Sequence, residues 1–207
     1  MKIEYITNFE TDENCYFCYD DENKGFIVDP GCDADEIMSF IEKKNLKITH
    51  ILLTHCHYDH ILGLEAIRKV TGALVVSSFN CNLNIQNPSV NLSGVFFENK
   101  IIAEPADILL SDGDILKVGK ITVKAIETPG HTNGGLCFLA ENILFSGDTL
   151  FLRSVGRSDF PTGDAQILEK SIKEKLYTLD DDIIVYPGHG NETKIYYEKR
   201  YNMYVKG

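Results

Sequence analysis

The sequence predicts one α/β domain spanning residues 1–207, and three observations carry that prediction. Short apolar, strand-like runs alternate with amphipathic, helix-like segments along the whole chain. No low-complexity linker or internal repeat divides it. Its 207 residues are enough for one well-cored domain, and nothing in the composition suggests disorder or a fibre.

The elements follow in order. β-prone segments surround "NCYFCYDDENKGFIVDPG", where "DDENKG" forms a turn and "GFIVD" a short buried strand ended by Pro30 and Gly31. Asp33 or Asp35 then caps a helix that runs to about Asn45. "ITHILLTH" reads as a buried strand, and "ILGLEAIRKVTG" as an amphipathic helix with Gly72 as its C-terminal stop. "ALVVSS" is another strand. Residues 79–106 are Asn-rich and carry no assignment beyond a short helix and a loop over the site. "ITVKAIET", "GLCFLA" and "NILFSGD" read as strands, "AQILEKSIKEKLYTL" as a helix, "DIIVYPGHG" as a strand running into a loop, and "ETKIYYEKRYNMY" as a final helix.

Charge and cysteine content bound the function. A net charge of −11, with no Lys/Arg-rich block to offset it, repels phosphate backbones, so nucleic acid is not an expected partner. The longest apolar runs are short and interrupted, and "MKIEYITNFETDEN" has no uncharged hydrophobic stretch. Neither a transmembrane helix nor a signal peptide is therefore expected, and no membrane partner. Six scattered cysteines without a secretory leader read as reduced thiols, which places the protein in the cytoplasm.

Histidine or aspartate recurs where the strands stop. The four places are "LLTHCHYDH" (His55, His57, Asp59, His60), "TPGHTNGG" (His131), "LFSGDTLF" (Asp148) and "VYPGHGNE" (His189). Strand ends feeding into loops let side chains from distant parts of the chain converge on one point. Five imidazoles and two carboxylates form a mixed nitrogen and oxygen set that suits zinc, iron or manganese rather than calcium. Seven donors are too many for one tetrahedral ion, whereas two ions sharing a carboxylate use them all. His131, His189 or the "GD" turn, taken singly, is more often a surface or hydrogen-bonded group. The cluster at 55–60 differs, because adjacent imidazoles without metal repel one another when protonated and cost desolvation when buried.

These residues resemble a known family. "THCHYDH" is similar to the T-H-x-H-x-D-H signature of the metallo-β-lactamase-fold hydrolases, and the downstream "GHT", "SGDT" and "PGH" segments resemble that family's remaining ligand motifs in order and spacing. The resemblance implies a four-layer αββα sandwich with two divalent metal ions, zinc first among them, at one edge of the central sheets. It also implies that His55, His57 and His131 hold one ion, that Asp59, His60 and His189 hold the other, and that Asp148 bridges them. Asp148 stands where antibiotic-hydrolysing members usually carry Cys or Ser, which argues against a β-lactamase. "TLFLRSVGRSDFPTGD" resembles the stretch after the bridging aspartate in glyoxalase II-like proteins and in persulfide dioxygenases.

The subgroup implied is therefore a short glyoxalase II-like, or hydroxyacylglutathione hydrolase-like, enzyme acting on a small-molecule thioester. Glyoxalase II itself binds glutathione partly through a C-terminal helical extension, and here eighteen residues follow His189. Arg157 falls where that enzyme tends to place a cation against glutathione, while the often aromatic position two further on is Asp159. A different or broader thioester substrate is the expectation. In such chemistry a water bridging two divalent cations has its pKa lowered from about 15.7 toward roughly 7, which supplies hydroxide at neutral pH. Asp59 and Asp148 balance part of the metal charge, and a thiolate of pKa near ~8.5 leaves without a dedicated proton donor. The alternative implied by the same motifs is a persulfide dioxygenase using one iron at His55, His131 and Asp148.

Four further features have plainer readings. Cys15 and Cys18 lie three apart, on opposite faces of a strand, and read as core thiols. Cys56 is a spacer within the ligand motif, and His50 lies on the other face of its strand. Arg157 is either a substrate clamp or an ion-pair partner of Asp159. The aromatic helix from Ile195 to Tyr204 offers a packing or self-association face, which leaves a homo-oligomer open.

Overall fold

The protein is described by a computed structural model covering residues 1–98 and 100–207. Strands β1 (Lys2–Thr7) and β2 (Asn14–Tyr19) pair antiparallel, and β2 turns into β3 (Lys24–Val28). Asp20 builds that turn by accepting from the backbone N–H groups of Glu22 and Lys24. Helix α1 (Ala34–Lys44) starts at Asp33, whose carboxylate accepts from the Asp35 N–H, and ends at Asn45 in the left-handed conformation. Strand β4 (Lys47–Leu52) follows.

The helix expected next is two, α2 (Tyr58–Ile61) and α3 (Leu64–Thr71). The break lies at Gly63, whose N–H is drawn to the Pro30 carbonyl; a Cβ there would lie 2.9 Å from both the Cys32 carbonyl oxygen and Ile37 Cδ1. The chain passes too close to the start of α1 for a side chain at this point. Helix α3 stops at Gly72 with φ of +67°, as expected. Strand β5 (Leu74–Ser77) then leads into the unassigned stretch, which forms α4 (Phe79–Asn84), α5 (Ser93–Phe96) and β6 (Ile108–Leu109); Asn99 lies outside the described residues.

The second half supplies β7 (Ile115–Val118), β8 (Ile121–Glu127), β9 (Leu136–Ala140) and β10 (Ile143–Gly147), an antiparallel meander. A small hairpin, β11 (Leu150–Phe151) and β12 (Ser154–Val155), precedes α6 (Ala165–Ser171), which continues as a π-helical turn through Leu176. β13 (Ile184–Pro187) lies parallel to β10, and β14 (Thr193–Lys194) leads into α7 (Ile195–Tyr201).

Among the described residues two six-stranded sheets result, in the orders β1-β2-β3-β4-β5-β6 and β14-β13-β10-β9-β8-β7. Three apolar layers explain their stacking. Alternate residues of the first sheet, Phe17, Ile27 and Ile51, pack with Ile37 and Ile41 of α1 and Ile67 of α3. The opposite residues, Phe26, Val28 and Leu52, meet Phe138 and Phe145 of the second sheet. The outer face of that sheet, with Leu144 and Val185, is covered by Leu168 of α6, Ile172 and Leu176. Helix, sheet, sheet and helix are thus held by alternation along each strand, and the expected four-layer αββα sandwich is the observed fold. Cys15 and Cys18 fall in different layers, as a three-residue offset requires. No helix among the described residues is long and apolar enough to cross a membrane.

Candidate metal centre

Strands β3 and β4 run parallel, as do β10 and β13, and β8 shares the direction of β10 through two antiparallel steps. Their C-terminal ends reach one rim of the sandwich, where ligand sites of parallel sheets form. After β4 come His55, His57, Asp59 and His60; after β8, His131; after β10, Asp148; after β13, His189. All seven residues expected from the sequence are brought together there.

Three imidazoles converge first. His57 Nδ1 lies 3.1 Å from His55 Nε2 and 2.9 Å from His131 Nε2. A tetrahedral ion with metal–nitrogen bonds of about 2.0–2.1 Å places its nitrogens about 3.3 Å apart, so this spacing fits one cation. Burial and the neighbouring rings push His57 down to about 3 and His55 well below the ordinary imidazole value, so both present lone pairs at neutral pH. His131 is oriented by the backbone: its Nδ1 lies 2.6 Å from the Arg157 carbonyl oxygen, which turns Nε2 inward.

The second group consists of Asp59, His60 and His189. His189 Nε2 is 3.3 Å from Asp59 Oδ2, and His60 Nε2 is 3.9 Å from the same oxygen. Asp148 stands between the groups. Its Oδ1 is 3.4 Å from His60 Nε2, while Oδ2 is 3.5 Å from His131 and 3.6 Å from His189. Burial opposes the charge on Asp148, but His60, His131 and His189 outweigh it and hold the carboxyl well below its ordinary range. His60 Nε2 and Asp148 Oδ1 are buried yet have no hydrogen-bond partner. Such orphans are rare in a finished core, and they suit a missing cation.

Two acids escaped the sequence reading. Asp29, at the end of β3, accepts from Thr54 N–H at 2.7 Å and the Thr54 hydroxyl at 2.5 Å, and lies 3.0 Å from His60 Nδ1. Its position at a strand end was the available signal. Glu13, just before β2, is fully buried beside His60 and carried no signal of its own.

The remaining candidates fall outside the centre. His50 bonds with Thr49, and Cys56 is buried in the helix-side core. Arg157 forms a bidentate pair with Asp159, at 2.8 and 2.7 Å, and its guanidinium lies 3.9 Å from the Phe160 ring centroid. Phe160 in turn stands 5.8 Å from the His57 ring. Arg157 lines a cleft of about 460 Å³ with Ser158, Leu168 and Tyr204, into which none of the seven candidate ligands reaches.

Known proteins resemble this chain in sequence and fold. A profile of the family described as the Metallo-beta-lactamase superfamily matches residues 9–189. Hydroxyacylglutathione hydrolase GloC of Haemophilus influenzae is 34% identical over 99% of this chain and 98% of its own length. A crystal structure described as BLEG-1 B3 metallo-beta-lactamase superposes with a TM-score of 0.94 at 34% identity, covering 100% of both chains. A di-iron-bound form of TTHA1623 gives 0.85 at 28% identity, covering 98% of this chain and 100% of that one.

Proposed function

The chain belongs to the metallo-beta-lactamase superfamily, and from that premise we propose that it is a dinuclear metal-dependent hydrolase that cleaves thioesters. The observation that carries the reading is Asp148, whose two oxygens face the two donor groups at 3.4 to 3.6 Å. His55, His57 and His131 would hold one divalent ion, Asp59, His60 and His189 the other, and Asp148 both. Zinc fits this donor set best; iron and manganese fit it as well.

Bound divalent ions supply a lowered water pKa and Lewis acidity toward a carbonyl oxygen. The chain's own groups do the rest. Asp59, with its Oδ2 facing His189 and His60, would balance part of the ions' charge together with Asp148. The Arg157 carbonyl and the Asp29 carboxylate fix the rings of His131 and His60. A thiolate leaving group, of pKa near ~8.5, departs without a dedicated proton donor. The 34% identity to a hydroxyacylglutathione hydrolase along almost the whole of both chains supports a thioester as substrate.

The test begins with elemental analysis of protein purified without chelator or affinity metal, followed by a panel of acyl-thioesters. Close to two ions per chain and thioester turnover are expected. Turnover of β-lactams without thioesters would overturn the substrate assignment in favour of the activity named for the BLEG-1 structure. A single iron per chain, with oxygen uptake on glutathione persulfide, would put the dioxygenase reading in its place; the di-iron-bound neighbour makes iron a necessary arm of the panel.

A further inference from the structure

Exposed aromatic rings gather beside the metal centre. Of the seven candidate ligands, Asp59 and His189 have the most exposed side chains, at 18% and 24%, against 11% for Asp148 and less for the others. The open edge of the centre is therefore theirs. An aromatic residue accompanies each: Tyr58 directly precedes Asp59, and the Phe151 ring lies 6.2 Å from the His189 ring. Two further rings extend Tyr58, with Phe96 at 5.0 Å and Phe97 at 5.1 Å between centroids. Both phenylalanines are open to solvent, Phe96 by 56% and Phe97 by 39%. Apolar rings left in water at the edge of a polar centre are the lining of a ligand groove.

The segment that carries them is firmly built. Asn91 is fully buried, and its Nδ2 donates to the carbonyls of Ile85 at 3.1 Å and Ile101 at 2.9 Å, while its Oδ1 accepts from the Ser93 N–H at 3.0 Å. Its own carbonyl accepts from the Tyr58 N–H at 2.8 Å, so the loop is joined to the ligand motif itself. The next residue, Leu92, is buried with a φ of +65°, a left-handed conformation that leucine adopts only where its surroundings impose it. Backbone held in this way clusters at ligand clamps. Helix α5 follows at once and ends on Phe96, which with Phe97 is set against Tyr58 and outside the core.

We propose that Tyr58, Phe96 and Phe97 form an acyl subsite that selects thioesters of medium-length aliphatic or aromatic acids over those of small polar acids. The inference rests on the thioester-hydrolase reading and narrows its substrate class. Tyr58 stands in the chain between the candidate ligands His57 and Asp59, so a carbonyl held at the centre leaves its acyl group beside these rings. Arg157, stacked on Phe160, offers a charged thiol half a separate contact. Each methylene laid on such a surface raises kcat/KM about threefold.

The test is a series of N-acetylcysteamine thioesters, acetyl, lactoyl, butanoyl, hexanoyl and phenylacetyl, in which only the acyl group varies and the thiol carries no charge. In wild type kcat/KM should climb from acetyl to hexanoyl, with lactoyl below butanoyl. In a Phe96→Ala/Phe97→Ala protein of unchanged metal content and melting temperature, the hexanoyl-to-acetyl ratio should fall about 10-fold, chiefly through KM. Calorimetry with the uncleavable thioethers S-hexyl- and S-ethyl-N-acetylcysteamine gives a readout without turnover: hexyl should bind tighter in wild type and lose that advantage in the double variant. A flat acyl series with equal binding of the two thioethers overturns the proposal, as does a chain-length preference that survives in the double variant. So does a wild-type dimer that the double variant dissolves, which would assign the rings to self-association. If no thioester is cleaved while the hexyl thioether still binds through these rings, the hydrolase reading fails and the subsite stands, so the two failures are distinct. Should the double variant not fold, Phe96→Ser alone, at the more exposed ring, decides by the same ratio and the same binding difference.

Discussion

Asp29, just past the end of β3, meets His60 of α2, with Oδ2 of the aspartate 3.0 Å from Nδ1 of the histidine. The contact leaves His60 Nε2 facing Asp148, so the tautomer that can bind a cation is selected by a residue outside the ligand set. Asp29→Asn leaves one carbonyl oxygen for three donors, Thr54 N–H, the Thr54 hydroxyl and His60. A buried donor without its acceptor costs about 1–3 kcal/mol. Urea unfolding of the metal-free variant should show a loss of that size, and zinc titration about a 10- to 100-fold weaker second ion. Unchanged metal binding would show that His60 needs no such support.

The two donor groups make separate demands on single substitutions. His57→Ala removes the nitrogen on which His55 and His131 converge, and elemental analysis should find about one ion fewer per chain. Asp148→Ala removes the group facing both sets, so it should empty more of the site and abolish turnover. Thioester hydrolysis that survives Asp148→Ala at wild-type metal content would rule out the shared carboxylate.

Acid should empty the two positions in order. Burial opposes a proton on His60, but Asp148 and Asp59 outweigh it; on His189, burial is likewise outweighed, by the bond with Asp59 and the charge of Asp148. Both rings hold protons more tightly than an ordinary imidazole of pKa about 6.5. A metal must displace those protons, so affinity at this group falls as pH drops through values above about 6.5. His57, pushed down to about 3 mainly by burial, and His55, well below its ordinary value, offer unprotonated nitrogen far into the acid range. Dialysis against a weak chelator at pH 5.5 should leave about one ion per chain, released in full only at lower pH. Simultaneous loss of both ions would contradict this order.

The parts of this protein that the sequence discloses are those where chemistry breaks a pattern. Apolar strands that end in His or Asp pointed to all seven side chains that meet at the rim, because polar donors after "ITHILL", "NILF" and "DIIVY" have no place in a simple core. Two acids stood ready to cap α1, Asp33 and Asp35, of which Asp33 serves, and the helix ends at Asn45 as expected. What stayed hidden depends on distant neighbours. The break at Gly63 reflects its contact with Pro30, Cys32 and Ile37, and β7 is four residues whose alternation shows only once Leu116 and Val118 are seen buried. Asp29 and Glu13 look like ordinary turn acids until β3 and β2 are laid beside β4 and the His189 loop.

Arg157 carries two roles that substitutions can separate. Its carbonyl serves His131 through the backbone, which no side-chain change at this position removes. Its guanidinium is paired with Asp159 and stacked on Phe160 in an exposed position, where an ion pair adds little to stability. Arg157→Ala should therefore leave metal content and melting temperature unchanged. If the guanidinium also receives an anionic group of the thiol half of the substrate, Asp159 is its competitor. Arg157→Ala should then raise KM for a charged thioester with kcat unaltered, and Asp159→Asn, by freeing the guanidinium, should lower it. Opposite shifts in KM, both diminished at high salt, would assign Arg157 to substrate recognition; two unchanged KM values would leave the Arg157–Asp159 pair as a surface contact with no part in binding.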